Sequence, residues 1–157
     1  MDEIKKILAP TDLSTFSARG LIYAANLAKA LGAQVMVCHV VRTEEFVGHA
    51  RLLEKNLTAS KVEEQLGHLR DTHRELLHEF ITRHLSSSTK DVVIKEIVEM
   101  GEPDDLIVEW ANDNSIDVIV ISTHGRSGLP RLILGSVTEK VLRKARCPVL
   151  AIPCHEL

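Results

Sequence analysis

The chain has 157 residues, of which 45% are apolar, and its 19 basic and 22 acidic side chains give a net charge of −3. This length predicts a single domain over residues 1–157 with one sizeable core, and the composition is that of a folded chain rather than a disordered one. The slightly acidic balance disfavours nucleic acid as the main partner, because binding a phosphate backbone calls for a basic surface.

Hydrophobic segments are short throughout. No apolar run approaches the roughly 20 residues of a membrane span, and the first residues, M-D-E-I-K-K, lack the apolar stretch of a signal peptide. We therefore expect a cytoplasmic protein that does not engage a membrane. The cysteines Cys38, Cys147 and Cys154 match no CxxC spacing, and we interpret them as core or edge thiols.

Strand and helix patterns alternate through the first half of the chain. The apolar runs Ile4–Ala9 and Gln34–Val41 predict the first two strands. The residues between them, Phe16–Leu31, predict a helix that ends at Gly32.

Polar segments flank these elements. Asp12 and Ser14 have side chains suited to capping the N-terminus of the first helix. Thr43–Ala50 is polar and irregular, so we expect a loop there. A long amphipathic helix is predicted for Leu52–His84, and Ser86–Lys90 is predicted to be a turn.

The second half continues the alternation. Its predicted elements, in order, are a strand at Val92–Val98, a helix from Gly101-Glu102-Pro103 to Asn114, a strand at Val118–Ser122, a helix at Ser136–Ala145 and a strand at Val149–Ile152. Nearly continuous apolar strands separated by helices indicate an α/β fold, with a doubly wound parallel sheet covered on both faces.

The segment Ser122–Thr138 is the most informative about function. It follows a strand, contains several glycines and precedes a helix. Gly125 allows close approach of a ligand to the backbone. Gly135-Ser136 lies where a helix start presents unpaired N–H groups, and Thr138 adds a hydroxyl donor. These features predict an anion site for a nucleotide, although a plain strand-to-helix connection with a serine cap is the alternative.

The loop is not a P-loop, which requires G-x-x-x-x-G-K-[ST], because no lysine follows Gly135. It resembles instead the nucleotide-binding branch of the universal stress protein family, which carries G-x2-G-x9-G-[ST] after the fourth strand. Gly125, nine further residues and Gly135-Ser136 fit the second half of that motif, and Ser122 replaces its first glycine. Further matches, in the family's order, are Ile7-Leu8-Ala9-Pro10-Thr11-Asp12, His39-Val40, Gly101-Glu102-Pro103 and Cys147-Pro148-Val149-Leu150-Ala151-Ile152-Pro153.

The resemblance implies an open five-stranded parallel sheet of order 3-2-1-4-5, of the adenine nucleotide alpha hydrolase-like type. The loops after strands one and four would then face one crevice. It also implies ATP, or ADP or AMP, bound with Mg²⁺. The binding residues expected on this basis are Pro10, Thr11, Asp12, Val40, Ile121, Ser122, His124, Gly125, Gly135, Ser136, Val137 and Thr138.

Three of these residues have alternative roles. Asp12 is a helix cap, and the resemblance implies that it also approaches the ribose and adenine side of the ligand; both roles can hold together. Val40 is a core side chain, and the resemblance implies that its backbone bonds the adenine edge. His124 is a hydrogen-bonding loop residue or, as in the family, lies beside the phosphates through its backbone.

We predict neither catalytic residues nor a metal site formed by protein side chains. The histidines of the long helix, His68, His73, His78 and His84, are spaced by five, five and six residues, which spreads them around the helix axis. An ATP-pyrophosphatase-like enzyme would need an S-G-G-x-D-S loop after the first strand, and Pro10–Ser14 is not that loop.

The sequence therefore predicts a small cytoplasmic ATP-binding protein that acts as a nucleotide-dependent regulator or sensor in a stress response. ATP hydrolysis would be slow at most, because the loop lacks a lysine and no base positions water. The alternative is a dimeric interaction protein of the same family that binds no nucleotide. A homodimer is expected through Val149–Ile152, an apolar edge strand bracketed by Pro148 and Pro153.

Overall fold

Five parallel strands form one sheet in the computed structural model, which describes residues 3–44, 47, 58–124 and 134–154. The strands are β1 (Lys6–Thr11), β2 (Gln34–Val41), β3 (Ile94–Met100), β4 (Val118–Ser122) and β5 (Val149–Ile152). Their spatial order is β3-β2-β1-β4-β5, and every neighbouring pair is parallel. The predicted α/β class and strand order are confirmed.

Helices cover both faces of this sheet. They are α1 (Ala18–Leu31), α2 (Ala59–His84), α3 (Pro103–Asp113) and α4 (Ser136–Lys144), with a short 3₁₀ helix at Ser87–Thr89. Apolar side chains of α1 and α2 pack with one face of the sheet, and those of α3 and α4 pack with the other. Within the described residues, no helix is both long enough and apolar enough to cross a bilayer.

The ladder between β1 and β4 is short. Residues Lys6–Thr11 of β1 all pair with β2, whereas only Ile7 and Leu8 pair with β4. The carboxyl ends of β1 and β4 therefore lie side by side without main-chain pairing. In an open α/β sheet, this is the place where successive connections leave in opposite directions and a crevice forms.

The turn between β1 and α1 differs from the prediction, and α1 begins at Ala18 rather than Phe16. Asp12 does not cap α1, because its Oδ1 accepts the N–H of Ser14 (3.0 Å) in a local turn. Ser14 Oγ accepts the N–H of Ser17 (3.2 Å), one residue before the helix. Leu13, between these contacts, takes a left-handed φ of 65°. Side-chain bonds within the loop thus displace the helix start.

The region before β3 also differs from the prediction. Thr43, Glu44 and Val47 have helical backbone geometry where a loop was expected. The described helix α2 begins at Ala59, and Thr58 Oγ1 caps it by accepting the N–H of Lys61 (3.4 Å). The predicted start at Leu52 lies outside the described residues. The end of α2 at His84 and the end of α1 before Gly32, which adopts φ 68°, are as predicted.

A cluster of charges ties α3 to α4. Lys144 Nζ lies 2.7 Å from Asp104 Oδ2 and 2.7 Å from Asp105 Oδ1, and Lys140 Nζ lies 3.4 Å from Asp104 Oδ1. The Asp104 side chain is only 5% exposed. Burial opposes its ionisation, but hydrogen bonds from Lys144 and Lys140 outweigh it and lower the pKa of Asp104 below its ordinary value of 3.8. The hydrogen bonds that Lys144 donates to Asp104 and Asp105 raise the pKa of Lys144 to about 12.

Replacing the buried carboxylate tests this cluster. We expect Asp104→Asn to reduce the free energy of unfolding by about 2 kcal/mol at pH 7, because two ammonium groups lose a charged acceptor. Since the folded-state pKa is depressed, the stabilisation is complete above pH 3.8 and is lost as the pH falls through the lower folded-state value. Thermal melts from pH 7 to pH 2.5 should show the wild-type advantage shrinking.

Asp105→Asn is the matched control for Asp104→Asn. The Asp105 side chain is 65% exposed and shares the same Lys144 partner, so its replacement should have little effect on the melting temperature. Equal losses from the two variants would contradict the role assigned to the buried carboxylate.

Candidate functional site

A cleft of about 240 Å³ opens at the carboxyl ends of β1, β2 and β4. Its position is the point where β1 and β4 cease to pair. The residues that line it are Pro10, Thr11, Asp12, Ser17, Cys38, His39, Val40, Arg42, Pro103, Ile107, Ile121, Ser122, His124, Gly135, Ser136, Val137 and Thr138. Every predicted site residue that the structure describes is in this set, and Gly125 lies outside the described residues.

The β1 side of the cleft is a hydrogen-bonded turn. Thr11, which is buried, joins its Oγ1 to Ser17 Oγ at 2.7 Å and accepts the N–H of Leu13 at 3.0 Å. Ser17 Oγ also donates a hydrogen bond to Ser14 O at 2.9 Å. Asp12 is half-buried and lines the cleft beside this turn. Its carboxylate is therefore placed to accept hydrogen bonds from a ligand hydroxyl.

Ser122, at the end of β4, replaces the first glycine of the motif, and its hydroxyl is engaged by α1. Its Oγ accepts the N–H of Gly20 at 3.0 Å and donates to Ser17 O at 3.4 Å. Gly20 is the third residue of α1, and the residue at the N-cap, Ser17, makes no side-chain cap bond. Ser122 thus supplies the missing cap from the end of β4. Its hydroxyl is committed to α1 instead of the ligand space.

The connection between β4 and α4 is fixed at both ends. Gly135 N donates to Thr123 O at 2.8 Å, and Thr138 Oγ1 donates to Ser122 O at 2.9 Å. A Cβ at Gly135 would lie 3.1 Å from Thr123 O, so a larger residue would crowd this contact. The motif glycine therefore permits a close backbone contact that closes the junction.

The N-terminus of α4 faces the cleft without a side-chain cap. Gly135 occupies the N-cap position, and Ser136, Val137 and Thr138 form the first turn. The N–H groups of a first helical turn have no intrahelical acceptor and carry the positive end of the helix dipole. Such a terminus binds anions, phosphate groups among them.

The rest of the cleft wall is largely apolar. Val40 and Ile121 come from the ends of β2 and β4, and Pro103 and Ile107 come from the first turns of α3. Val40 packs against the core on the α3 and α4 side. Apolar side chains with a few polar groups are typical of ligand pockets.

Two side chains in the cleft, Cys38 and His124, belong to residue types that often take part in catalysis. Burial, with a smaller contribution from the charge of Glu99, raises the pKa of Cys38 to about 12, so its thiol stays protonated and unreactive. His124 Nδ1 lies 2.8 Å from Thr123 Oγ1 within its own loop. Among the described residues, no three side chains of His, Cys, Asp or Glu are grouped to hold a metal ion.

The four histidines of α2 contact four different partners. His68 lies near Glu64, His78 bonds Glu96, and His84 bonds Phe80 O. His73 Nδ1 lies 2.9 Å from Nε2 of His39, whose Nδ1 in turn lies 3.0 Å from Thr11 O. No binding role was predicted from the sequence for His39 or His73. A histidine within an apolar strand was the available signal, because a buried imidazole needs hydrogen-bond partners.

Other cleft residues that were not predicted as site residues are Ser17, Cys38, Arg42, Pro103 and Ile107, of which Pro103 belongs to the matched motif Gly101-Glu102-Pro103. Arg42 follows β2 and Ser17 precedes α1, so both lie just beyond the motifs that were matched. The two residues of α3 reach the cleft only through packing of α3 beside β2. A local sequence pattern does not predict that residues of α3 will line the cleft.

The sequence matches the model of the universal stress protein family over residues 3–153. It is 35% identical to universal stress protein MJ0531 of Methanocaldococcus jannaschii over 151 residues, which cover 94% of this chain and 81% of that protein. The solved structure of MJ0577, from the same organism, has a TM-score of 0.73 and 25% identity, and the match covers 99% of this chain and 100% of that one.

Two other solved structures share the fold and contain nucleotides. A universal stress protein in complex with cAMP has a TM-score of 0.65 and 22% identity, over 96% of this chain and 98% of that one. The universal stress protein of Archaeoglobus fulgidus in complex with dAMP has a TM-score of 0.57 and 23% identity, over 97% and 99%. With its sheet order, its cleft and its match over nearly the whole length, the chain belongs to the universal stress protein family.

Proposed function

We propose that the protein binds ATP, or ADP or AMP, with Mg²⁺ in this cleft and acts in the cytoplasm as a nucleotide-dependent regulator or sensor in a stress response. The observation that carries the proposal is the uncapped N-terminus of α4, which lines the cleft with Ser136, Val137 and Thr138. Main-chain N–H groups at such a terminus stabilise phosphate without a basic side chain.

The remaining parts of a nucleotide also find matching groups. Val40, Ile107 and Ile121 offer apolar surface to a base, and Asp12 offers a carboxylate to ribose hydroxyls. Two hydrogen bonds hold the first turn of α4 at the cleft. Gly135 N donates to Thr123 O, and Thr138 Oγ1 donates to Ser122 O. The cAMP and dAMP complexes of two proteins with this fold support an adenine nucleotide as the ligand.

The cleft favours binding over hydrolysis. The described residues that line the cleft include no lysine. Their basic side chains are Arg42 and two histidines, His39 and His124. Efficient phosphoryl transfer requires concentrated positive charge on the leaving phosphate and a group that orients water. We therefore propose slow ATP turnover at most, with the bound nucleotide acting as the signal.

A charge placed at the start of α4 tests the phosphate site. Ser136 is exposed and is the first residue of the helix, so Ser136→Asp keeps a residue that suits a helix N-terminus. The added carboxylate repels phosphate, and we expect ATP affinity to fall by about tenfold or more, measured by calorimetric titration of nucleotide-stripped protein with Mg²⁺.

Ser136→Asn is the control, because it has similar size but no charge and should bind ATP within about threefold of the wild type. Circular dichroism should show both variants folded. Equal affinities for the Asp and Asn variants would contradict phosphate binding at this helix, and absence of heat with wild-type protein at millimolar ATP would contradict the proposed function itself.

The hydroxyl of Ser122 should matter for stability and not for the ligand. In Ser122→Ala the buried N–H of Gly20 loses its acceptor, which we expect to reduce the free energy of unfolding by about 1–3 kcal/mol. ATP affinity should stay within about threefold, because the hydroxyl is directed at α1. Chemical denaturation and calorimetry check the two effects, and a loss of affinity without a loss of stability would reverse the assignment.

We also propose that the protein forms a homodimer through β5. This strand pairs with β4 on one side and forms an edge of the sheet within the chain. Pro148 O accepts the N–H of Ile119 in β4, and Ile152 O accepts the N–H of Thr123 just after β4. The alternate residues Val149 and Ala151 therefore direct their main-chain groups to the outer edge. Leu150 leaves part of its side chain exposed. An apolar edge of this kind is usually covered, and pairing with a second copy covers it symmetrically.

Proline at position 151 tests the dimer. Ala151→Pro removes a donor from the outer edge of β5 while the hydrogen bonds to β4 remain, so we expect a dimer weakened by about tenfold. Ala151→Ser keeps the donor and is the control. Sedimentation at tens of micromolar protein measures the association, and a monomeric wild type at that concentration would rule out this arrangement.

A further inference from the structure

Two histidines meet beneath the cleft in a hydrogen-bonded pair. His39 is 2% exposed and lines the cleft, and His73 is half-buried on α2. Their Nε2 and Nδ1 atoms lie 2.9 Å apart, the ring centroids are 5.0 Å apart and the planes differ by 19°. The centroid separation is almost the sum of the N···N distance and the two ring radii, so the rings meet edge to edge, as an N–H···N bond requires.

The bonds of His39 restrict the protons that the pair can hold. A main-chain oxygen only accepts, so Nδ1 of His39 carries a hydrogen that it donates to Thr11 O. One further hydrogen lies between His39 Nε2 and His73 Nδ1. The pair keeps both bonds when it is neutral and when it carries one positive charge. With two charges, N–H groups face each other across the contact and the bond is lost. The pair is therefore built to hold one added proton and to resist a second.

Charged groups approach the pair from several elements. His39 lies in register with Thr11 of β1 and Val98 of β3. Glu96, two residues before Val98 on the same face of β3, bonds His78 of α2. The charged residues nearest to His73 along α2 are Arg70, Asp71, Arg74 and Glu75. Arg74 pairs with Asp71. The described titratable or charged side chains that share the cleft with His39 are Asp12, Cys38, Arg42 and His124.

We infer that nucleotide binding in the cleft is coupled to the uptake of one proton by the His39–His73 pair, so that the affinity for ATP rises as the pH falls. The inference rests on the proposed nucleotide binding. A bound polyanion stabilises a positive charge on a ring that lines the same cleft, and linkage requires that the protonated pair bind the anion more tightly. The increase occurs as the pH falls from the titration midpoint of the complex to that of the ligand-free protein, and affinity is level outside that window.

Calorimetry can count the protons directly. ATP is titrated into nucleotide-stripped protein with saturating Mg²⁺ at pH 7, in buffers of different ionisation enthalpy. The slope of observed heat against buffer enthalpy gives the protons taken up for each nucleotide bound. We expect a fractional uptake for the wild type, between zero and one proton for each nucleotide bound, because the pair accepts a single added proton.

Three glutamine variants assign the proton. Glutamine hydrogen-bonds but does not titrate near neutral pH, so His73→Gln and His39→Gln should each remove most of the uptake. The double variant should resemble either single one, because the two rings act as a unit. His78→Gln is the matched control, since His78 lies on the same helix and bonds Glu96 instead of a cleft residue. It should keep the wild-type uptake.

A second measurement needs no nucleotide. The ring Cε1–H signals of His39 and His73 in ligand-free protein should follow one shared protonation step on acidification, with the next proton bound only at much lower pH. Two independent steps near pH 6.5, as for separate imidazoles, would overturn the pair as a proton-binding unit.

The outcomes separate this inference from the proposed function. ATP binding with no proton uptake, or with uptake that survives in both single variants, overturns the coupling and leaves nucleotide binding intact. Uptake that disappears in His124→Gln but persists in His73→Gln assigns the proton to the other cleft histidine and also overturns it. No binding of ATP by the wild type overturns both.

Discussion

The short ladder between β1 and β4 is the constraint on which the rest of the structure depends. Only Ile7 and Leu8 pair with β4, so the last residues of β1 have main-chain partners on the β2 side alone. Main-chain polar groups that are buried without partners cost about 1–3 kcal/mol each. Side chains supply the partners that the second strand would otherwise provide. His39 bonds Thr11 O, and Thr138 bonds Ser122 O, at the point where β1 and β4 separate.

These side chains form a connected series below the cleft. Thr11 bonds Ser17, the carbonyl of Ser17 accepts from Ser122, and the carbonyl of Ser122 accepts from Thr138. His39 extends the series to α2 through His73. All buried side-chain polar atoms in the described part of the chain have a partner. A fully bonded interior network of this kind holds the first turns of α1 and α4 in fixed positions, which gives the cleft a preformed shape.

Much of the fold was accessible from the sequence, and the reason is that its signals are local. Apolar runs, Gly32 at a helix end and Pro103 at a helix start each act within a few residues, and the strand order came from the resemblance to the universal stress protein family. The errors came from contacts that no local pattern contains. Asp12 was expected to cap α1, whereas it turns back on Ser14, and the cap comes from Ser122, about a hundred residues away. His39 and His73 are likewise 34 positions apart.

The contact between α1 and β4 also limits how the sequence can change over evolutionary time. A Cβ at Gly20 would lie 2.9 Å from Ser122 Oγ and 3.1 Å from Ser122 N, so a side chain at position 20 is incompatible with the present strand end. Loss of the hydroxyl at position 122 relieves the closer of the two contacts and simultaneously deprives Gly20 N of its acceptor. The two sites are therefore epistatic: the acceptability of a residue at one depends on the residue at the other. Lineages with a glycine at position 122 and lineages with a serine there are expected to follow different substitution paths through the first turn of α1.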